Sequence, residues 1–159
     1  MISRAILAAV GAILLGVGSA ASAQDVGPPS ELVDALTQGA RTNLAQARLS
    51  DGSNVPPETP EELAQPLVPR ALEVQTIERA LLSAAMETCG DDYSTLSYQP
   101  YMSTLRASGR YSDKQMAYIG LLHGFAMGWL GQDLEPEMCS EAFSAVMEEE
   151  ARTAPIATP

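Results

Sequence analysis

Few side chains in this sequence could carry chemistry, and the single histidine is the first of them. His123 is the only side chain that titrates near neutral pH without help from its surroundings. At helical spacing Met116, Gly120 and Met127 share its face, and two thioethers with an imidazole are soft ligands that suit Cu(I). Methionine is also a common core filler, and no second histidine accompanies the pattern. We therefore predict a packed or partly exposed histidine and no cofactor, with a small-molecule or metal site centred on His123 as an alternative.

A catalytic site finds little support in the sequence. A Ser/His/Asp set could be assembled around His123, but no strained nucleophile turn of the G-x-S-x-G type holds a serine in place. The adjacent carboxylates of Asp91 and Asp92 fit a solvated turn or a helix cap better than an acid–base pair. We therefore predict that the protein is not an enzyme.

Three glycines recur every four residues in one predicted helix, at Gly120, Gly124 and Gly128. Each costs about 0.8–1 kcal/mol in a helix interior relative to alanine, so the spacing needs a reason. Close packing against another helix is the preferred interpretation, and a groove for a partner's helix or a ligand is the second. Membrane insertion is the third, and it is disfavoured because the apolar stretch is short and contains His123.

Tyrosines gather near the same helix, and tyrosine is common at interfaces because its ring buries a large area while its hydroxyl stays polar. Tyr111 precedes the glycine-bearing helix and Tyr118 lies within it. The predicted partner-binding residues are Gly120, His123, Gly124, Gly128, Tyr111 and Tyr118.

Helical periodicity extends over much of the chain, and no alternating strand pattern occurs. The strongest pattern covers 112–131, where Ser112 and Gln115 have capping-box spacing. Other helices are predicted over 71–89 and 135–150. The apolar face predicted for the first of these comprises Leu72, Val74, Ile77, Leu81, Leu82, Ala85 and Cys89. The predicted fold is all-α, a small bundle of four to five helices stapled by one disulfide.

Proline placement suggests how the chain is organised. A helix is predicted within 24–50. The proline density of the stretch 51–70 predicts that it contains neither a regular helix nor a central strand, and that it is either a linker or a wrapping loop. Whether the N-terminal helix packs on the core at 71–150 or moves independently is therefore left open. The segment 151–159 is predicted to be a disordered tail.

The first residues have the order of a signal peptide. A basic start at 1–4 and an apolar run at 5–17 precede the small residues Ala21-Ser22-Ala23. We predict Sec-type export with cleavage near Ala23, which makes the protein periplasmic or secreted. The apolar run is short for a spanning helix, so no stable membrane span is expected after cleavage.

The two cysteines, Cys89 and Cys139, are predicted to form one disulfide, since an even number in an exported chain indicates pairing. A bridge that closes a loop of this size contributes up to about 4 kcal/mol in the chain-entropy model. A redox pair is disfavoured because the C-x-x-C spacing that lowers a thiol pKa is absent.

The formal net charge is −11, from 20 acidic and 9 basic residues, which argues against a nucleic-acid partner. Cleavage would remove one base, Arg4, and no acid, and would bring the charge to −12. The charge is uneven, because 133–150 holds seven acids and no base whereas 93–132 has a balance of +2. A partner could therefore meet either sign.

Two short segments resemble known families of small exported helical proteins. The run Thr88-Cys89-Gly90-Asp91-Asp92-Tyr93, with a second cysteine some fifty residues later, resembles the HdeA-type acid-stress chaperones. The pattern of Tyr118-Ile119-Gly120, Gly124, Gly128 and Cys139 is similar to periplasmic immunity proteins against type VI secretion effectors. Both resemblances cover about 88–140, and they imply export and a disulfide between distant helices.

These observations predict a periplasmic, non-enzymatic protein-binding or chaperone-like module. Its partner is expected to be another envelope or secreted protein. An immunity or inhibitor protein for an envelope-acting effector is the alternative.

Overall fold

Helices and their connecting turns make up the part of the chain that the computed structural model describes, residues 27–154 and 156. The six α-helices of this part are α1 (Ser30–Thr42), α2 (Pro60–Leu63), α3 (Arg70–Thr88), α4 (Gln99–Ala107), α5 (Asp113–Leu130) and α6 (Glu141–Thr153). Within these residues there is no β-strand, only an isolated bridge between Arg48 and Asn54. The all-α prediction is confirmed. The predicted signal peptide, 1–23, lies outside the described residues.

Helices α3 and α5 form the central pair, and the other elements pack around them. From α3, Leu72 and Ile77 are 2% and 1% exposed, and from α5, Ile119 and Leu122 are completely buried. Helix α5 begins where the sequence predicts. The Ser112 hydroxyl accepts the amide hydrogen of Gln115 and the Gln115 side chain returns to the Ser112 amide.

The side of α3 that is polar in sequence is buried in the fold. Four polar residues recur at intervals of three or four along α3 and form a polar stripe. They are at most 7% exposed, namely Glu73, Thr76, Arg79 and Ser83. In contrast, Leu81 is 45% exposed and Val74 is only half-buried, although both belong to the predicted apolar face. That prediction is therefore wrong in part. The reason is that α3 is surrounded on several sides, and its polar side chains find partners inside the protein.

The N-terminal helix packs on the core. Val33, Leu36 and Ala40 of α1 are at most 2% exposed and belong to the same hydrophobic cluster as α3 and α5. Leu44, in the 3-10 turn that follows α1, joins them. The question that the sequence left open is thus decided in favour of docking, because α1 completes the core that α3 and α5 begin.

The proline-rich stretch wraps around the molecule. Val55 and Val68 are 2% and 3% exposed and anchor its two ends in the core. Between them, Glu58 receives the Arg41 guanidinium at 2.7 Å and Glu62 receives the Lys114 ammonium at 3.0 Å. The stretch also forms the short helix α2, which was not predicted because of the proline content. This helix begins with a capping box at Thr59.

The disulfide between Cys89 and Cys139 is present, with 5.3 Å between the two Cα atoms, and the prediction is confirmed. It ties the end of α3 to the segment before α6. Helix α6 begins later than predicted, because the Ser140 hydroxyl caps the amide of Phe143 and a 3-10 turn precedes it.

The C-terminal segment is helical further than predicted. Helix α6 continues to Thr153, and Ala151 is 7% exposed. The Arg79 guanidinium donates to the carbonyl oxygen of Ala151 at 2.7 Å, which holds this end of α6 against α3. The prediction of a disordered tail is therefore wrong for residues 151–154, since a buried arginine of α3 binds carbonyl oxygens there.

None of the helices in the described part of the chain combines the length and the apolar composition that a bilayer crossing needs.

Candidate functional site

The predicted partner-binding residues divide into a buried group and an exposed group. His123 and Tyr118 are each 2% exposed and lie inside the protein. Gly124 and Gly128 lie on the surface of α5, and an added Cβ at either position would meet no atom within 4 Å. The structure therefore separates residues that the sequence placed on one contact surface.

His123 belongs to a hydroxyl network between α3, α5 and a single π-helical turn, Ser94–Tyr98. The Ser83 hydroxyl lies 3.0 Å from His123 Nε2 and donates to the Ser97 hydroxyl, also at 3.0 Å. The imidazole and the two hydroxyls therefore form one continuous hydrogen-bonded chain inside the protein. The Tyr98 ring covers the imidazole with 4.7 Å between centroids.

Burial, followed by the positive charge of Arg79, lowers the pKa of His123 to about 4. The imidazole is therefore neutral over the usual physiological range. Ser83 and Ser97 are completely buried, so the Ser83–His123 pair is closed to a substrate in this structure. The network satisfies polar groups inside the helical core, as the prediction of a packed histidine requires.

A second buried polar contact joins α5 to α3. The Tyr118 hydroxyl donates to Glu73 Oε1 at 2.9 Å, and the Glu73 side chain also contacts Arg70. Burial, followed by the negative charge of Glu73, raises the pKa of Tyr118. Tyr118 is thus a core residue with a satisfied hydroxyl, and its prediction as a partner contact is corrected.

Tyr111 and Gly120 also face inward in part. Tyr111 is half-buried and packs against the main hydrophobic cluster. At Gly120 an added Cβ would lie 3.0 Å from the Tyr98 hydroxyl, which is tighter than most real contacts. Of the three glycines, only Gly120 has the close-packing role that the sequence interpretation preferred for all of them.

The exposed group forms an apolar surface that we call the α5 face, made of Gly124, Phe125, Gly128 and Trp129. The Phe125 and Trp129 side chains are 39% and 50% exposed. These positions fall at the i, i+1, i+4 and i+5 spacing that keeps them on one side of a helix. The Phe125 ring lies across Gly39 of α1, where an added Cβ would lie 2.5 Å from its Cε1 atom.

The sequence interpretation missed Phe125 and Trp129 as surface residues. An isolated aromatic residue in an apolar helix reads as core, and only the tertiary structure shows which side of α5 remains uncovered. Their position next to Gly124 and Gly128 was the available signal, since each aromatic residue directly follows one of these glycines in sequence.

Metal ligation has no cluster to support it in the described part of the chain. No group of three or more histidine, cysteine, aspartate and glutamate side chains comes together there. Nε2 of His123 is hydrogen-bonded to Ser83. The alternative of a metal site centred on His123 therefore gains no support.

Comparison with known proteins returned no matching family model, no matching curated protein and no matching solved structure. The resemblances to HdeA-type chaperones and to immunity proteins accordingly stay predictions from short motifs.

Proposed function

We propose that this chain is an exported, non-enzymatic protein-binding module whose contact surface is the α5 face. The observation that carries the proposal is the open space above Gly124 and Gly128, between the exposed rings of Phe125 and Trp129. An exposed apolar helix face with small residues at spacing four accepts the backbone of another helix at close range.

The two glycines are not needed by the fold of the chain itself. Glycine at an exposed helix position costs about 0.8–1 kcal/mol relative to alanine. An alanine Cβ would clash with nothing at either Gly124 or Gly128. A residue choice that lowers stability without serving internal packing is expected where another molecule has to approach the backbone.

The flanking aromatic side chains provide affinity. Aromatic residues are enriched at the energetic centres of protein interfaces because they bury a large area with few rotatable bonds. Trp129 is half-exposed, and the Phe125 ring lies against Gly39 of α1. A partner helix laid along Gly124 and Gly128 would contact both rings.

The predicted signal peptide and the disulfide support an extracytoplasmic location. Disulfides form and persist in oxidising compartments, and small exported domains use them in place of a large core. The expected partner is therefore another envelope or secreted protein.

The test uses the full mature protein, expressed in its native envelope, with a photo-crosslinking amino acid in place of the exposed Gln132, four residues after Gly128, so that the space above Gly124 and Gly128 stays open. Gly124→Leu and Trp129→Ser are each expected to reduce specific crosslinking at least tenfold, because one fills the space and the other removes an anchor. Leu81→Ser is the matched control, since Leu81 is a comparably exposed apolar side chain on α3.

Circular dichroism accompanies each variant. Undiminished crosslinking in folded Gly124→Leu and Trp129→Ser would exclude the α5 face as the contact surface. Loss of the folded state in Gly124→Leu would show that Gly124 is needed for internal packing, and it would also overturn the proposal.

A further inference from the structure

We infer that the cavity between α4, α5 and the loop 47–50 binds a small organic anion with an apolar body. The cavity has a volume of about 340 Å³. It lies apart from Gly124, Phe125, Gly128 and Trp129, so this inference stands or falls independently of the proposed function.

Two unpaired cations line this cavity. Most described basic side chains have a protein partner, and the ion pairs are Arg41–Glu58, Arg70–Asp34, Arg70–Glu73, Lys114–Glu62 and Arg152–Glu149. The guanidinium groups of Arg48 and Arg106 are exposed, and neither forms a hydrogen bond or an ion pair with any described residue. Both line this cavity. In a chain with 20 acids and 9 bases, such a coincidence favours an anionic ligand.

A phenol hydroxyl supplies a further donor. Tyr98 lines the cavity beside Gly120, and its hydroxyl has no hydrogen-bond partner among the described residues. Burial raises the pKa of Tyr98, so the phenol keeps its proton at neutral pH and can donate it to an anion. The absence of a side chain at Gly120 leaves room for this hydroxyl.

The rest of the wall includes apolar side chains. Met102 and Met116 are 8% and 5% exposed and both line the cavity, as does Leu121. Methionine adapts its shape to irregular apolar surfaces, so this wall suits an aliphatic chain or an aromatic ring. An apolar cavity of about 150 Å³ accommodates benzene, so about 340 Å³ leaves room for a medium-chain or aromatic acid.

The charge of the cavity favours a single negative charge on the ligand. Asp113 also lines the cavity, and its carboxylate accepts a hydrogen bond from the Ser50 hydroxyl at 2.9 Å. With Arg48 and Arg106 this gives a balance of +1. A monoanion neutralises that balance, whereas a dianion would exceed it.

The probe for the test is octanoate, compared with octan-1-ol and octylammonium, which have the same chain with a neutral or a positive head. Isothermal titration of the mature protein is expected to give a Kd for octanoate at least tenfold lower than for either analogue. Methyl NMR is expected to show shifts at Met102 and Met116 and none at Met86, which lies in a separate cluster.

The double variant Arg48→Gln/Arg106→Gln is expected to weaken octanoate binding at least tenfold and to leave octan-1-ol binding unchanged. Arg152→Gln is the control for the loss of a positive charge, since it removes one arginine at an exposed site outside the cavity. Ala117→Leu adds bulk to the wall without changing charge and is also expected to weaken octanoate binding.

Equal binding of octanoate and octylammonium would overturn the inference, as would full octanoate binding by folded Arg48→Gln/Arg106→Gln or Ala117→Leu. Vesicles of phosphatidylglycerol distinguish a free acid from a lipid headgroup at a membrane surface. Vesicle binding that needs both arginines, without octanoate binding, would assign them to a lipid surface and contradict the cavity site.

Discussion

His123 shows how one buried side chain links the core to pH. Its imidazole is enclosed by Ser83, the Tyr98 ring and the charge of Arg79, and no carboxylate of the described residues is hydrogen-bonded to it. A protonated imidazole would therefore be both desolvated and repelled. The neutral form fits the hydroxyl network, and this preference appears as a pKa of about 4 instead of 6.5.

The free energy of unfolding is expected to fall as the pH is lowered from 6.5 to about 4. In this window the unfolded chain binds a proton at His123 and the folded protein does not, so acid favours unfolding. Neutral His123 thus contributes stability that is complete above pH 6.5 and is lost toward pH 4. The expected loss from this residue is up to about 3 kcal/mol, from 1.36 kcal/mol per pKa unit.

Urea unfolding of the wild type and of His123→Gln at pH 7, 5.5 and 4 measures this loss. The free energy of unfolding is expected to depend more steeply on pH in the wild type than in His123→Gln. This difference is assigned to His123 because the chain has no other histidine. Parallel curves for the two proteins would contradict the assignment.

At the scale of the element, α5 has two different sides. One side buries Ile119, Leu122 and Ala126 against α3 and α1, and the other carries the α5 face. A four-residue glycine spacing rotates slowly around a helix of 3.6 residues per turn. Gly120 therefore faces Tyr98 while Gly128 lies in the open, and one sequence pattern serves two purposes.

Gly124→Ala and Gly128→Ala are each expected to raise the free energy of unfolding by about 0.8–1 kcal/mol, from helix propensity alone. Gly120→Ala is the matched comparison in the same helix. Its Cβ would lie 3.0 Å from the Tyr98 hydroxyl, so little or none of that gain is expected.

Thermal and urea unfolding of the three variants give the comparison directly. A clear destabilisation by Gly124→Ala would mean that internal packing uses this glycine after all. An equal gain at all three positions would remove the distinction between Gly120 and the α5 face.

At the scale of the whole molecule, α6 buries fewer residues than any other described helix except the one-turn helix α2. Ala151 of α6 is buried with Leu82 and Met86 of α3 in a small cluster separate from the main core. The hydrogen bond from Arg79 to the Ala151 carbonyl oxygen is a further contact between the two helices. The disulfide closes the sequence between α3 and α6, a separation of 50 residues. Covalent attachment therefore compensates for limited burial.

The Cys89→Ser/Cys139→Ser variant is expected to lose about 4 kcal/mol of stability, the chain-entropy value for a loop of this size. Because α6 has few buried contacts of its own, its amides are expected to lose protection against hydrogen exchange before those of α3 and α5. Equal loss of protection in all three helices would show that α6 folds cooperatively with the core. An unchanged midpoint of urea unfolding would show that the disulfide is not a stabilising element.

The sequence by itself determined the local features of this protein. The helical periodicity, the Ser112 capping box and the pairing of two cysteines each depend on neighbouring residues or on elimination, and each is present in the fold. The all-α class follows from the same local patterns. The helices and their caps can be predicted because their physical causes act over one or two helical turns. The disulfide joins residues 50 apart, and it can be predicted because the chain has only two cysteines.

Only the tertiary structure decided which side of each helix is covered. The polar stripe of α3 is buried because α5 and the π-helical turn offer Tyr118 and Ser97 as partners, and those contacts join residues far apart in sequence. Phe125 and Trp129 stay exposed because no other described element covers that side of α5. Arg48 and Arg106 meet at one cavity because the loop after α1 folds over α4 and α5. Burial depends on the whole assembly of helices, so one helix pattern cannot specify it.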